Sequence, residues 1–181
     1  MPSNPLEVRL LGADDAPAYH LLRLRGLREY PEAFTSSAEQ EAGKPLEWSQ
    51  RRLTPDAARP HDFFLGAFRA GVLCGVVGLQ GRYRPKEFHN ATLVGMVVAP
   101  EHAGLGVGRA LVEALVQHAR RLPSLEQIDL TVTAGNDRAC VLYERCGFAR
   151  VGLLPRAIRV DGRYHDKLQM QLRLGDGVGP S

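Results

Sequence analysis

The stretch "VVAPEHAGLGVGRALV", Val97 to Val112, passes from an apolar run through Pro100 into glycines at 104, 106 and 108, then opens a segment with helical spacing. A strand that ends in a glycine turn and becomes a helix N-terminus forms an anion site from backbone alone. The first N–H groups of a helix have no partner within it, its dipole end is partly positive, and glycine keeps Cβ out of the approach. A diphosphate suits such a turn, although a plain tight turn calls for the same glycines. Two phosphate motifs do not match. A Walker loop requires Gly-Lys-Ser/Thr, and Gly108 is followed by Arg109 and Ala110. In a dinucleotide fingerprint the third glycine would fall on Arg109 when counted from Gly104, or on Leu111 when counted from Gly106.

Outward from this stretch, the pattern predicts alternating strands and helices. "LEVRLLG" (Leu6 to Gly12) has strand character, and Asp14 or Asp15 is placed to cap a helix carrying Leu21, Leu24 and Leu27. Ser36 to Arg52 is mostly polar and broken by Gly43 and Pro45, which predicts one or two short helices over the surface. "FFLGAFRAGVLCGVVGLQGRY" reads as a hairpin turning at Arg69, Ala70 and Gly71. "ATLVGMVVA" is the strand feeding the glycine turn, and a helix from Gly106 to Leu122 presents Leu111, Leu115, Ala119 and Leu122 on one side. "IDLTVTA" alternates as a half-buried strand does. Asp137 to Cys146 places Ala139, Leu142, Tyr143 and Cys146 on one helical stripe that stops at Gly147. Two final strands meet across "DGR", and the tail 175–181 is expected to be disordered.

The 181 residues suffice for one domain with its own core, here expected over 1–174. The 44% hydrophobic and 24% charged content is that of a soluble protein, and no apolar run is long enough for a membrane span. The start "MPSNPLEVRLLG" lacks the features of an export signal, so a cytoplasmic location is expected. Three cysteines, Cys74, Cys140 and Cys146, without Cys-x-x-Cys spacing, point away from disulfides and zinc, and no metal is expected. A net charge of +3, with the basic residues scattered, suits a small anionic ligand better than nucleic acid.

"VVAPEHAGLGVGRALV", followed two dozen residues later by "LTVTAGNDRACVLYERCGF", resembles the two central motifs of the GCN5-related N-acetyltransferase (GNAT) family in order and spacing, and the element order matches over Leu6 to Leu174. The resemblance implies an α/β (α+β) fold, with a mixed, mostly antiparallel central sheet flanked by helices on both faces. It also implies acetyl-CoA as co-substrate and acetyl transfer to a primary amine of a small molecule or peptide. By the same resemblance, the backbone of Met96, Val97 and Val98 pairs with the pantetheine arm, and the turn of Gly104, Leu105, Gly106, Val107, Gly108 and Arg109 holds the pyrophosphate. Asn136 contacts the cofactor arm, and Tyr143 acts as general acid toward the leaving thiolate. Where the family usually has Gln or Arg, this chain has Ala103. That absence, with the lack of a clear base, leaves a catalytically weak acyl-CoA-binding module as the alternative. A homodimer is compatible with such domains.

An amine must lose a proton before it attacks, which calls for a base or a water path. The ribosomal-protein N-terminal acetyltransferase subgroup has a glutamate in a Leu-Glu-Val strand, whereas this chain has Thr131 in "LTV". His89 is the candidate base, with Glu87, Glu29 and Glu32 as others. The same resemblance implies an acceptor pocket near Leu27 to Phe34 and Arg156 to Asp166, where Tyr30, Phe34 and Tyr164 with Glu29, Glu32 and Asp166 would suit a small cationic amine; a packed corner and a solvated turn would use the same residues.

Overall fold

The hairpin sequences make their turns through backbone that few residues adopt. Ala70 and Gly71 have φ of 50° and 75°, and Asp161 and Gly162 have 47° and 79°, which is the two-residue turn whose twist matches paired strands. In the computed structural model, which describes residues 5–175, these turns organise a single seven-stranded sheet. Its strands are β1 (Leu6–Leu10), β2 (Phe63–Arg69), β3 (Val72–Gly81), β4 (Asn90–Val98), β5 (Gln127–Thr133), β6 (Ala149–Val160) and β7 (Arg163–Arg173), in the order β1-β2-β3-β4-β5-β7-β6. Every neighbouring pair is antiparallel except β4 and β5. The mostly antiparallel mixed sheet expected from the sequence is thus present. The expected tail lies, from residue 176 on, outside the described residues.

Among the described residues there are five α-helices: α1 (Ala16–Glu29), α2 (Ala38–Ala42), α3 (Leu46–Leu53), α4 (Val107–Ala119) and α5 (Asp137–Arg145). On one face, Val107, Leu111 and Leu115 of α4 and Cys140 and Tyr143 of α5 pack with Val77, Leu79, Ile128 and Met170. On the other, Tyr19 and Leu22 of α1 and Leu53 of α3 pack with Phe64, Val76 and Val97. Burial of these side chains contributes about 1.5–3 kcal/mol each.

Three expectations change. Of the three leucines expected on the inner side of α1, Leu24 and Leu27 are buried, with Tyr19 and Leu22, but Leu21 is 69% exposed, because a strict three-residue spacing drifts around a helix of 3.6 residues per turn. Asp15 does not cap α1 with its side chain; its carboxylate turns back to accept the Gly12 N–H at 2.9 Å and pairs with Arg9. The polar stretch of α2 and α3 is not wholly a surface one. Glu41 and Ser49 are completely buried, and Arg23 of α1 donates to Glu41 at 2.7 Å.

The two edges of β4 are paired unequally. Toward β3, Val76 pairs with Val97 but Gly78 with Val94, so Gly95 and Met96 stand together opposite Val77 as a bulge. Gly95 has φ +63°, which suits glycine at that place. Across its other edge β4 pairs with β5 only at Asn90, Ala91 and Thr92, opposite Gln127, Ile128 and Asp129. Beyond Thr92 the strands part.

Candidate functional site

The parting of β4 from β5 opens a cavity of about 750 Å³ between them. Its fork is closed by polar side chains: the Thr92 hydroxyl donates to Asp129 at 2.7 Å, and Arg82 forms an ion pair with the same carboxylate. Toward the other end of β4 the Ala99 N–H donates to Cys74 of β3 at 2.9 Å. Amides of successive strand residues point to opposite edges, so the Val98 N–H is aimed away from β3 into the split. Met96, Val97 and Val98 all line the cavity.

The glycine turn sits at the mouth. Gly106 is the N-cap of α4 with φ 80° and ψ 2°, and a Cβ built there would meet nothing within 4 Å. The position is therefore glycine for its backbone conformation, and the open space beside it is where an anion would approach. Ala110 donates to Gly106 O at 3.0 Å, so the N–H groups of Val107, Gly108 and Arg109 precede the first helical bond of α4. Gly104, Gly106, Val107, Gly108 and Arg109 line the cavity, whereas the Leu105 side chain is 54% exposed and lies outside it. Arg109 is paired with Glu113 at 2.7 Å.

No side chain longer than a methyl is present at Ala103, but Arg138 of α5 reaches over the turn. A Cβ on Gly104 would lie 3.4 Å from its Nη2. Arg138 thus brings a cation beside the glycine turn. The letters "NDRAC" held this residue, but only the approach of α5 to the turn gives it a position. His102 also lines the cavity, and its Nδ1 is buried without a partner among the described residues.

Asn136 and Tyr143 both line the cavity from α5. The Asn136 side chain caps that helix, its oxygen accepting the Ala139 N–H at 3.2 Å, so only the Nδ2 end is left to donate elsewhere. Tyr143 is 6% exposed and stacks edge-on against Phe148 at 5.8 Å. Burial, with smaller contributions from the Cys146 and Cys140 thiols, raises its pKa well above 10.0 and keeps the hydroxyl protonated.

The proposed bases are not brought to the cavity. His89 precedes β4 at the paired end of the split, its ring 3.2 Å from the Asn90 side chain and its carbonyl accepting the Glu126 and Gln127 N–H groups. Glu87 lies in the same loop. Nine residues of chain, most of it strand, separate His89 from Val98, roughly 30 Å along the strand. Glu29 is engaged by Arg25 at 2.9 Å, and Glu32 meets the site through its carbonyl, which accepts the Thr133 hydroxyl at 2.6 Å. Of the expected acceptor segment, Tyr30, Ala33 and Phe34 line the cavity, together with the exposed Thr131. The Arg156–Asp166 hairpin does not line it; there the Arg156 N–H is held by the Asp166 carboxylate at 2.8 Å.

The split between β4 and β5 and the N-terminus of α4 thus open onto one cavity. The model of the acetyltransferase (GNAT) family matches residues 24–148, and the chain belongs to that family of enzymes. It is 35% identical over 131 residues to the N-alpha-acetyltransferase RimI of Mycobacterium tuberculosis, covering 71% of this chain and 77% of that protein. It is 30% identical over 174 residues to the phosphinothricin N-acetyltransferase of Alcaligenes faecalis, covering 94% and 83%. Among solved structures, yncA of Salmonella typhimurium, determined with its cofactor acetyl-CoA, has a TM-score of 0.79 at 21% identity over 98% of each chain, a likeness of fold. Among the described residues no helix is long and apolar enough to cross a membrane, and no group of three or more His, Cys, Asp or Glu is placed to hold a metal.

Proposed function

We propose that this enzyme transfers the acetyl group of acetyl-CoA to a primary amine of a small molecule or peptide by direct attack. The observation that carries the reading is the split between β4 and β5 leading to the Gly104–Arg109 turn. The split leaves strand amides for an extended arm, and the turn leaves helix-terminal N–H groups for a diphosphate. Acetyl-CoA supplies a thioester whose carbonyl carbon accepts the amine nitrogen and whose sulfur leaves with the bonding pair.

The chain positions and polarises. Backbone of Met96 to Val98 aligns the arm like an added strand, the Asn136 amide donates to it, and the turn with Arg138 holds the phosphates. The Val98 N–H donates to the carbonyl oxygen, where negative charge grows during attack. Tyr143, kept protonated by burial, gives its proton to the departing sulfur. The amine's own proton passes to water in the open cleft, since among the described residues no carboxylate lines the acceptor side. The three free thiols, Cys74, Cys140 and Cys146, suit a reducing compartment, and we place the enzyme in the cytoplasm. The open edge of β6, with Val151, Leu153 and Leu154 exposed, suits pairing with a second copy.

The test is calorimetric titration with acetyl-CoA of the wild type and of Gly106→Trp, followed by a thiol-release screen against amines. Binding abolished by the tryptophan, with thiol release that depends on the amine, supports the proposal. No binding refutes it. Binding without turnover across the panel selects the alternative, an acyl-CoA-binding module, for which the absence of a carboxylate base beside the acceptor is the favouring observation.

A further inference from the structure

The acceptor half of the cleft is walled by Tyr30, Ala33 and Phe34 after α1 and by Gly95, Thr131 and Thr133 of the split strands. None of these carries a negative charge. Among the described residues the one carboxylate that lines the cavity, Asp137, begins α5 on the side of the glycine turn. An acceptor with a second positive charge therefore meets no counter-charge on this wall.

The charge behind the wall is positive. Arg23 is 6% exposed, on the inner side of α1, and a Cβ built on Gly95 would stand 3.7 Å from its Nη1. With glycine at the bulge, no side chain from that position separates the guanidinium from the wall. The rest of the fork is occupied: Nε donates to Glu41 at 2.7 Å and Nη2 to the Ser36 hydroxyl at 3.4 Å, while Nη1 has no acceptor among the described residues. Glu41 is fully buried and also accepts from Lys44 at 3.1 Å. Two cations thus share one carboxylate, and the cluster keeps a surplus positive charge. In a poorly solvated setting a further carboxylate at Gly95 would balance that surplus through a charge-assisted bond.

We infer that the acceptor carries a carboxylate beside its reactive amine, as an α-amino acid does, and that Arg23, reached past Gly95, holds it. The inference rests on the acetyl transfer proposed above and adds the substrate class. Gly95 and Val98 are three residues apart, roughly 10 Å of strand. That span accommodates a carboxylate, the neighbouring amine and the thioester carbonyl in sequence. Arg23 is then a specificity residue, and Glu41 positions it.

The experiment compares L-amino acids with their own carboxamides as acceptors for the full chain, with acetyl-CoA as donor. The carboxamide's amine is the less basic and has more free base at neutral pH, so that bias runs against the inference. The acids are expected to have kcat/KM higher by about ten- to a hundredfold, the factor a charge-assisted hydrogen bond carries. In the double variant Arg23→Gln/Glu41→Gln, which removes both buried charges together, the preference for acids should be lost, the ratio falling to one or below as the carboxamide's larger free-base fraction takes over, while acetyl-CoA affinity is unchanged. Amides acetylated as well as acids by the wild type would overturn the inference and leave acetyl transfer standing. So would a preference that survives in the double variant. Bound acetyl-CoA with no thiol release for any amine would overturn both. The wild-type comparison decides the matter if the double variant fails to fold.

Discussion

Alanine at Gly106 separates two reasons for a glycine at the mouth of α4. The Cβ meets no atom within 4 Å, so steric clash contributes nothing to the cost. What remains is the left-handed backbone at φ 80° and ψ 2°, which costs an L-residue about 1–2 kcal/mol. For a chain of this length that corresponds to a melting temperature lower by about 2–8 °C. Gly12 is the control. Its surroundings are equally open but its φ is −126°, so alanine there should be neutral or stabilising by about 0.4–1 kcal/mol through the unfolded state. The same methyl at 106 stands where a phosphate would meet the helix N–H groups. Loss of one charge-assisted bond of about 1.5–3 kcal/mol should raise the Kd for acetyl-CoA by about ten- to a hundredfold. Thermal melting and calorimetry of both variants read the two effects. Equal stability of Gly106→Ala and Gly12→Ala would refute the strain, and an unchanged Kd would refute the phosphate cradle.

Further outcomes are expected at Tyr143, Asn136 and Glu41. Tyr143→Phe should lower kcat by about ten- to a hundredfold with little change in melting temperature. The wild-type kcat should show no alkaline fall up to the ordinary tyrosine value of 10.0, because the buried hydroxyl titrates above it. A fall below that pH would contradict this. Asn136→Ala should destabilise by about 0.5–2 kcal/mol through loss of the helix cap, whereas Asn136→Ser keeps a capping oxygen and should lose only acetyl-CoA affinity; equal melting temperatures for the two would count against the cap. Glu41→Ala should cost about 3–5 kcal/mol by leaving Arg23 buried without its partner. Burial pushes the Glu41 carboxyl up, but Arg23 and Lys44 more than offset this and hold it below its ordinary 4.5. Its contribution is therefore complete above that pH and fades as pH falls, so acid unfolding should be shallower in Glu41→Gln.

Local chemistry made much of this readable in advance. Arg69-Ala70-Gly71 and Asp161-Gly162-Arg163 announce hairpins because few residues tolerate positive φ, and Leu111, Leu115 and Ala119 announce the inner side of α4 by their spacing. Gly104 to Arg109, Asn136 and Tyr143 were legible as a constellation through their motif. The residues that sequence spacing did not give are those set by distant partners. Arg23 and Glu41 look like surface charges until α2 folds over α1, and Arg138 acquires a place only when α5 meets the glycine turn. His89 misled because nearness in sequence to β4 is nearness to its paired end. Gly95 carried no sign of the bulge, since the extra residue is defined only against β3.

The three rungs joining β4 to β5 also have a mechanical meaning. Strands β1 to β4 form one lobe and β5, β7 and β6 another, and the lateral bond between them is a short zip open at one end. Its last rung, Thr92 against Asp129, is reinforced by the Thr92 hydroxyl and by Arg82. That clamp is an end stop. It fixes how far the split runs down the sheet, from residues that do not themselves line the cavity.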